Sequence, residues 1–278
     1  MHFHPRVLLA TAGAANAGID DKDVHIVIRD GFPPSMRDLA QETGRVGRRP
    51  DATPSTDRVL YLLSFISFKS LLYRIFIAQS KEPDGTSADR FSDITLPVTD
   101  KEIAQRQWEE LKRVMGHFLL KPSCYHEKME MALLNPYDIP EESLGACGTA
   151  CSYCRPNQFT KDSTRRMSRQ GTCQVLANYF LLPGSEANSR NLYDNSLIKK
   201  LTEYKDPETD RGFAKTVYAA DRKTSSFDVN MWIMTLFASG ILVPSVSDKT
   251  VACVLAFTDD GNPFFHLDTV WDKIHHKH

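Results

Sequence analysis

Four of the six cysteines, Cys124, Cys147, Cys151 and Cys154, follow the spacing C-x₂₂-C-x₃-C-x₂-C, and this restricts the fold more than any other feature. Four thiolates satisfy the tetrahedral preference of Zn²⁺, each sulfur standing about 2.3 Å from the metal. Such a set must converge on one point, so a helix start at Cys124 and a tight loop at Cys147–Cys154 would be drawn together. A closed four-sulfur site leaves no open position for water. Its role would be structural, and its binding energy becomes folding energy. The alternative is a group of independent reduced thiols. Cys173 and Cys253 fall in a predicted helix and strand and read as core residues.

A metal reading presumes a reducing compartment. The first eighteen residues carry one Arg and no long apolar run, so they read as the middle of a domain and not as a signal peptide. The expected location is intracellular, and nuclear in a eukaryote. No run approaches the ~20 apolar residues of a membrane span. The formal net charge of −1 gives no global basic field, so any nucleic-acid surface must be local.

The predicted organisation has five parts. Residues 1–80 alternate apolar strand candidates (Arg6–Ala10, Val24–Arg29, Val59–Phe65) with helices over Ser35–Thr43 and Lys69–Gln79. Runs of this kind suit strands buried on both faces of a parallel sheet in an α/β layer. Residues 81–98 are a polar linker. Residues 99–160 form a helical zinc-binding subdomain. Its first helix opens on a Thr99–Glu102 capping box, and a second runs from Pro122–Ser123 to about Leu134, with Cys124 in its first turn. Residues 161–170 are a basic linker. Residues 171–278 hold helices at Cys173–Leu182, Ser196–Tyr204 and Asp228–Ser239. Two strands follow, Ile241–Val243 and Thr250–Thr258, then a turn at Gly261. Helices followed by a hairpin suggest a winged-helix module.

Two runs near the start carry the chemistry: ATAGAANAGID at Ala10–Asp20 and QETGRVGRR at Gln41–Arg49. Guanidinium groups are planar, always charged and able to hold phosphate oxygens bidentately. Across a cleft they stabilise charge on a transferring phosphoryl group, worth about 10³–10⁵ in rate in other NTPases. Gly44 and Gly47 allow tight turns beside Arg45 and Arg48.

These residues resemble a known family. ATAGAANAGID followed by KDVHIVIRD is similar to motif V of superfamily 2 helicases. QETGRVGRR is similar to motif VI in the form typical of RecQ-like DNA helicases, with Arg49 where that family usually has Asp. The four cysteines resemble the zinc subdomain that follows the second RecA-like lobe in the same family. The resemblance implies the C-terminal portion of an ATP-dependent 3′–5′ DNA helicase acting in unwinding, repair and recombination: a partial RecA-like lobe, a zinc subdomain and a divergent winged helix. By resemblance Arg48 is the arginine finger, Arg45 its partner at the phosphates, and Gln41 positions nucleotide or water. Glu42 would pair with a nearby arginine. Thr11, Gly18 and Asp20, with Gly44, would belong to the nucleotide cleft. Implied cofactors are structural zinc, with ATP and Mg²⁺ in the complete enzyme, and the implied partner is single-stranded or junction DNA.

Lys161, Arg165, Arg166 and Arg169 offer local phosphate contacts, or else form a solvated linker. The hairpin tip Ser245–Lys249 could serve as a wing, while Met231–Phe237 reads as core and not as a base-stacking platform. The 278 residues contain no G-x-x-x-x-G-K-[ST] loop and no Asp-Glu-x-His run. The expectation is therefore an incomplete gene product that alone neither hydrolyses ATP nor unwinds DNA. Two other readings stay open: a non-catalytic zinc-stabilised DNA-binding or interaction protein keeping a helicase relic, and another superfamily 2 ATPase such as an RNA helicase.

Overall fold

A computed structural model describes residues 23–53, 57–77, 98–120, 124–133, 147–148, 150–154, 195–203, 223, 225–247 and 250–255. β1 (Ile26–Asp30) and β2 (Arg58–Leu62) pair in parallel, with Ile28 opposite Leu60 and Arg29 opposite Tyr61. Between them runs α1 (Met36–Thr43), the crossover that a parallel pair requires. Ser35 caps α1 by accepting from the Asp38 amide at 3.1 Å. Met36, Leu39 and Glu42 recur every third residue as its buried stripe.

The strands are not buried on both faces as expected. Val27, Arg29, Val59 and Tyr61 are half-buried on the inner face. Ile26, Ile28, Leu60 and Leu62 are between 44% and 62% exposed on the other. The described helices cover one side of this two-stranded sheet.

The second boundary that differs is at Phe65. The apolar run Val59–Phe65 reads as strand throughout, yet α2 spans Phe65–Phe76 because Ser64 caps it through the Ser67 amide at 3.1 Å. α3 (Val98–Leu119) already contains Val98 and Thr99, so the capping-box reading places its start too late. α4 (Tyr125–Leu133) begins just after Cys124, whose carbonyl accepts from the Lys128 amide at 3.1 Å. Cys124 thus stands at the cap of α4 and not inside its first turn. α5 (Asn195–Thr202) and α6 (Ser226–Ala238) match predicted helices within two residues at each end. A Ser225–Asp228 capping box starts α6. β3 (Leu242–Ser247) and β4 (Thr250–Leu255) form an antiparallel hairpin.

Helices α2, α3 and α6 meet around tilted and edge-on aromatic rings. Phe68 and Phe237 lie 5.3 Å apart, Trp108 meets Phe237 edge-on at 5.8 Å, and Phe76 reaches Trp108 at 6.4 Å. Trp232, Ile233, Met234, Leu236 and Phe237 are all buried, so Met231–Phe237 is core as the sequence implies. A second ring series, Phe32, Tyr61, Phe118 and Tyr125, joins the inner sheet face to the start of α4 through the end of α3. Lys128 of α4 donates to the carbonyls of His117 (3.1 Å) and Leu120 (2.7 Å), holding the last turn of α3. Among the described residues the architecture is mostly helical, with a small parallel sheet and one antiparallel hairpin. Predicted elements at Arg6–Ala10, Cys173–Leu182 and Gly261 lie outside the described residues.

Candidate metal centre and arginine segment

The four cysteines converge. Their sulfurs all lie within 4.8 Å of one another, with Cys124 and Cys151 buried and Cys147 and Cys154 half-buried. Cys124 comes from the α4 cap and the other three from one loop, as the spacing implies. Backbone amides supply the electrostatics. The Cys147 amide donates to Cys124 Sγ at 3.4 Å, that of Cys151 to Cys147 Sγ at 3.3 Å, and that of Cys154 to Cys151 Sγ at 3.4 Å. Gly148, at φ +69°, makes the turn after Cys147 that sets the Cys151 amide on its sulfur.

Burial raises the thiol pKa of Cys124, but amides of Glu127 and Cys147 outweigh it and bring the group down to about 6. Cys151 is lowered too: burial opposes, and the amides of Cys154 and Tyr125 prevail. Cys147 is raised by burial and by its hydrogen bond with Cys124. Cys154 is pushed up to about 12, by burial and by the neighbouring sulfurs. Four clustered sulfurs cannot all ionise against one another. A bound dication removes that conflict, since thiolate is the ligating form. A tetrahedron of bonds of about 2.3 Å puts sulfurs about 3.8 Å apart, within the observed spread. The donor set can hold a metal ion and is compatible with structural zinc.

The arginine segment lies at the end of α1. Glu42 does pair with an arginine: Arg29 of β1, whose Nη1 donates to Glu42 Oε1 while Nη2 donates to the Phe32 carbonyl at 3.3 Å. Burial raises the Glu42 pKa, and Arg29 opposes that shift. Tyr61 stands beside Arg29 on the same sheet face. Its pKa is raised by burial and then by the Glu42 charge.

Gln41 and Arg48 are exposed, and Arg45 is half-buried. Arg48 Nε donates to the Gly44 carbonyl at 2.8 Å, which folds the side chain back along the loop. Gly47 has φ +75° and needs to be glycine. Gly44 differs from expectation: at φ −69° it is an ordinary helix C-cap, and a Cβ there would meet the Ala40 carbonyl oxygen at 3.2 Å. Arg49 is held by Asp57, which is almost fully buried. Its Nη2 donates to both carboxylate oxygens at 3.1 and 3.3 Å and sits 3.0 Å from His25 Nδ1. The Thr53 amide donates to the same carboxylate at 3.1 Å. Arg49 therefore fastens the loop to the head of β2.

The two regions touch. Thr43, next to Glu42, contacts Met129 of α4 at 3.6 Å from its hydroxyl to the sulfur. The helix that starts at Cys124 thus packs on the helix that ends in Gly44–Arg45.

Sequence reasoning missed Arg29, Asp57, His25 and Tyr61. One signal was available for Arg29: a lone arginine in the strand run VHIVIRD requires a buried partner. Nothing in the spacing marks Asp57. Thr11, Gly18 and Asp20 lie outside the described residues, as do Lys161, Arg165, Arg166, Arg169 and Cys173. Cys253 falls in β4 opposite Pro244. No described helix is long and apolar enough to cross a membrane. No protein-family model matches this chain, and no curated protein matches it.

Proposed function

We propose that the chain is the C-terminal part of a RecQ-like ATP-dependent 3′–5′ DNA helicase, with the late half of a RecA-like lobe, a structural zinc subdomain and a divergent winged helix. The observation that supports this most is the junction between the Gln-Glu-x-Gly-Arg-x-Gly-Arg segment and the four-cysteine cluster. Each was read from a separate stretch of sequence, and they meet through Thr43 and Met129. Cys124, Cys147, Cys151 and Cys154 would hold Zn²⁺, which ties their loop to the α4 cap.

In this reading Arg48 is the arginine finger. Its exposure suits a group that meets a phosphate arriving from outside the described fold. Arg45 stands beside it, and Gln41, on the exposed side of α1, orients nucleotide or water. The Arg29–Glu42 pair, with Glu42 buried and Arg29 half-buried, holds α1 against β1, so the loop leaves the helix in one direction. ATP and Mg²⁺ supply the phosphoryl chemistry in a complete enzyme. The chain alone neither hydrolyses ATP nor unwinds DNA, and its DNA binding falls steeply with salt.

The test is a DNA-stimulated ATPase assay on the purified 278-residue chain, run beside DNA-binding titrations at several salt concentrations. No turnover with salt-sensitive binding is expected, and measurable ATPase activity refutes the inactivity. Reading the transcript through the Met1 codon separates enzyme from relic. An in-frame G-x-x-x-x-G-K-[ST] loop upstream supports the helicase. A stop codon immediately upstream supports a non-catalytic zinc-stabilised DNA-binding or interaction protein, a reading consistent with the lack of that loop among the 278 residues.

A further inference from the structure

The backbone does not support the four sulfurs of the cysteine centre equally. Cys124 accepts from the amides of Glu127 and Cys147, and Cys151 from those of Cys154 and Tyr125. Cys147 accepts from a single amide, that of Cys151, at 3.3 Å. Among the described residues no amide donates to Cys154 Sγ. Burial runs in the same sense. Cys124 and Cys151 are buried, Cys147 and Cys154 are half-buried, and Ser152 and Tyr153, on the turn before Cys154, are exposed.

This asymmetry matters once all four groups are ligating thiolates. A hydrogen bond that favours the thiolate draws charge from the sulfur, and a less basic thiolate is a weaker nucleophile. A sulfur inside the fold is also shielded from reagents in solution. Cys124 and Cys151 are protected on both counts, and Cys147 in part. Cys154 has the least protection of the four.

We infer that Cys154 is the oxidation-sensitive ligand of this centre, the sulfur with which a peroxide-class oxidant reacts first. The inference rests on the zinc reading of the cluster. The Cys154 thiolate attacks one peroxide oxygen, the O–O bond breaks and hydroxide leaves. The sulfur is oxidised by two electrons to a sulfenic acid, and the peroxide is reduced by two. The Cys147 thiolate is the next least supported and lies within 4.8 Å. It attacks the sulfenic sulfur and expels a second hydroxide as the disulfide forms. Cys124 and Cys151 alone cannot complete a tetrahedral donor set, so the metal is lost. The loop that carries Cys147, Cys151 and Cys154 then loses its tie to the α4 cap. A closed structural centre thereby doubles as an oxidant-sensitive one.

The experiment starts from the full chain, its metal content measured by native mass spectrometry. Limiting N-ethylmaleimide and, in parallel, hydrogen peroxide are added while a chromophoric chelator reports released zinc. Peptide mass spectrometry then locates the modified sulfurs. Among the four ligands, Cys154 should carry at least about fivefold more early adduct than Cys124 or Cys151, with zinc released in step. Cys154→His removes the reactive sulfur and supplies a fourth ligand that zinc also accepts. This variant should hold zinc and release it at least about tenfold more slowly under peroxide. If it takes up no zinc, the labelling order in the wild-type chain decides the matter. A wild-type chain without zinc overturns the zinc reading and this inference with it. A zinc-bearing chain whose adducts fall first on another ligand, or evenly over the four, overturns the inference alone. So does a zinc-loaded Cys154→His variant that loses its metal at the wild-type rate.

Discussion

The cysteine cluster and the arginine segment were both read from short sequence patterns, but they are built in opposite ways. The cluster is closed: four sulfurs face one another and three amides within the set point at them. The arginine segment is open, with Gln41 and Arg48 facing solvent and its support hidden underneath in Arg29, Glu42 and Asp57. A closed site carries its geometry in its own residues. An open one borrows its rigidity from residues elsewhere in the chain, and these have no recognisable spacing.

That contrast is broken most severely at the cluster. Cys151→Ser removes a donor from the middle of the loop. Apparent binding energies of structural zinc sites reach about 10 kcal/mol or more, so a loss of at least about 3 kcal/mol in stability is expected. Native mass spectrometry should show one metal ion lost, and urea titration should show the earlier midpoint. If the wild-type chain carries no metal, the closed-site description is wrong.

The hidden support of the open site comes next. Arg29→Ala leaves Glu42 buried without its counter-charge and should cost roughly 3 kcal/mol. Arg29→Ala with Glu42→Ala should cost clearly less than the two changes added. Strict additivity in urea unfolding would show that the two do not support the loop as a pair.

The junction between the regions offers a pH test. His117 is buried between the rings of Phe118 and Tyr125, with no hydrogen-bond partner for Nδ1 among the described residues. Burial lowers its pKa from 6.5 to about 4, and Lys128 and His126 add to the effect. Between those values the unfolded chain binds the proton and the folded chain does not. The native state therefore loses stability as pH falls from 6.5 towards 4, by on the order of 2 kcal/mol. Cys124 and Cys151, whose pKa values are lowered, act in the same direction, while Cys147 and Cys154, whose values are raised, act oppositely at higher pH, so the measurement is the difference in slope between wild type and His117→Phe. The variant should have the shallower pH dependence, and identical slopes would remove His117 from the account.

Smaller effects sharpen the picture within the arginine loop. Gly47→Ala forces a side chain to φ +75° and should cost about 1–2 kcal/mol, more than Gly44→Ala, whose backbone is already right-handed. Thermal unfolding of the pair decides whether only one glycine is needed for its backbone. Arg48→Ala should change stability by less than about 0.5 kcal/mol, because the side chain is exposed. A large loss there would mean that Arg48 is structural, which would count against its proposed role.

Much of the local structure was legible because its causes are local. Ser35 and the β1–α1–β2 alternation follow from capping and from apolar runs between turns. Where a local signal was overlooked, the boundary moved. Ser64 turns Phe65 into helix, and Ser225 with Asp228 opens α6 before the predicted start. The exposed outer face of β1 and β2 had no local signature, since apolar strands look the same whether covered on one side or two.

The spacing C-x₂₂-C-x₃-C-x₂-C is enough to name the residues that meet at the cysteine centre, because a tetrahedral donor set leaves few ways to place it. The chain also shows at once which arginines sit among glycines. The packed fold, in contrast, sets Arg29 against Glu42, Arg49 against Asp57 and Thr43 on Met129. Each of these is a contact between residues remote in sequence, chosen by how helices and strands pack. No spacing rule encodes it, since what selects the partner is the burial of a charge or a side chain in the assembled fold.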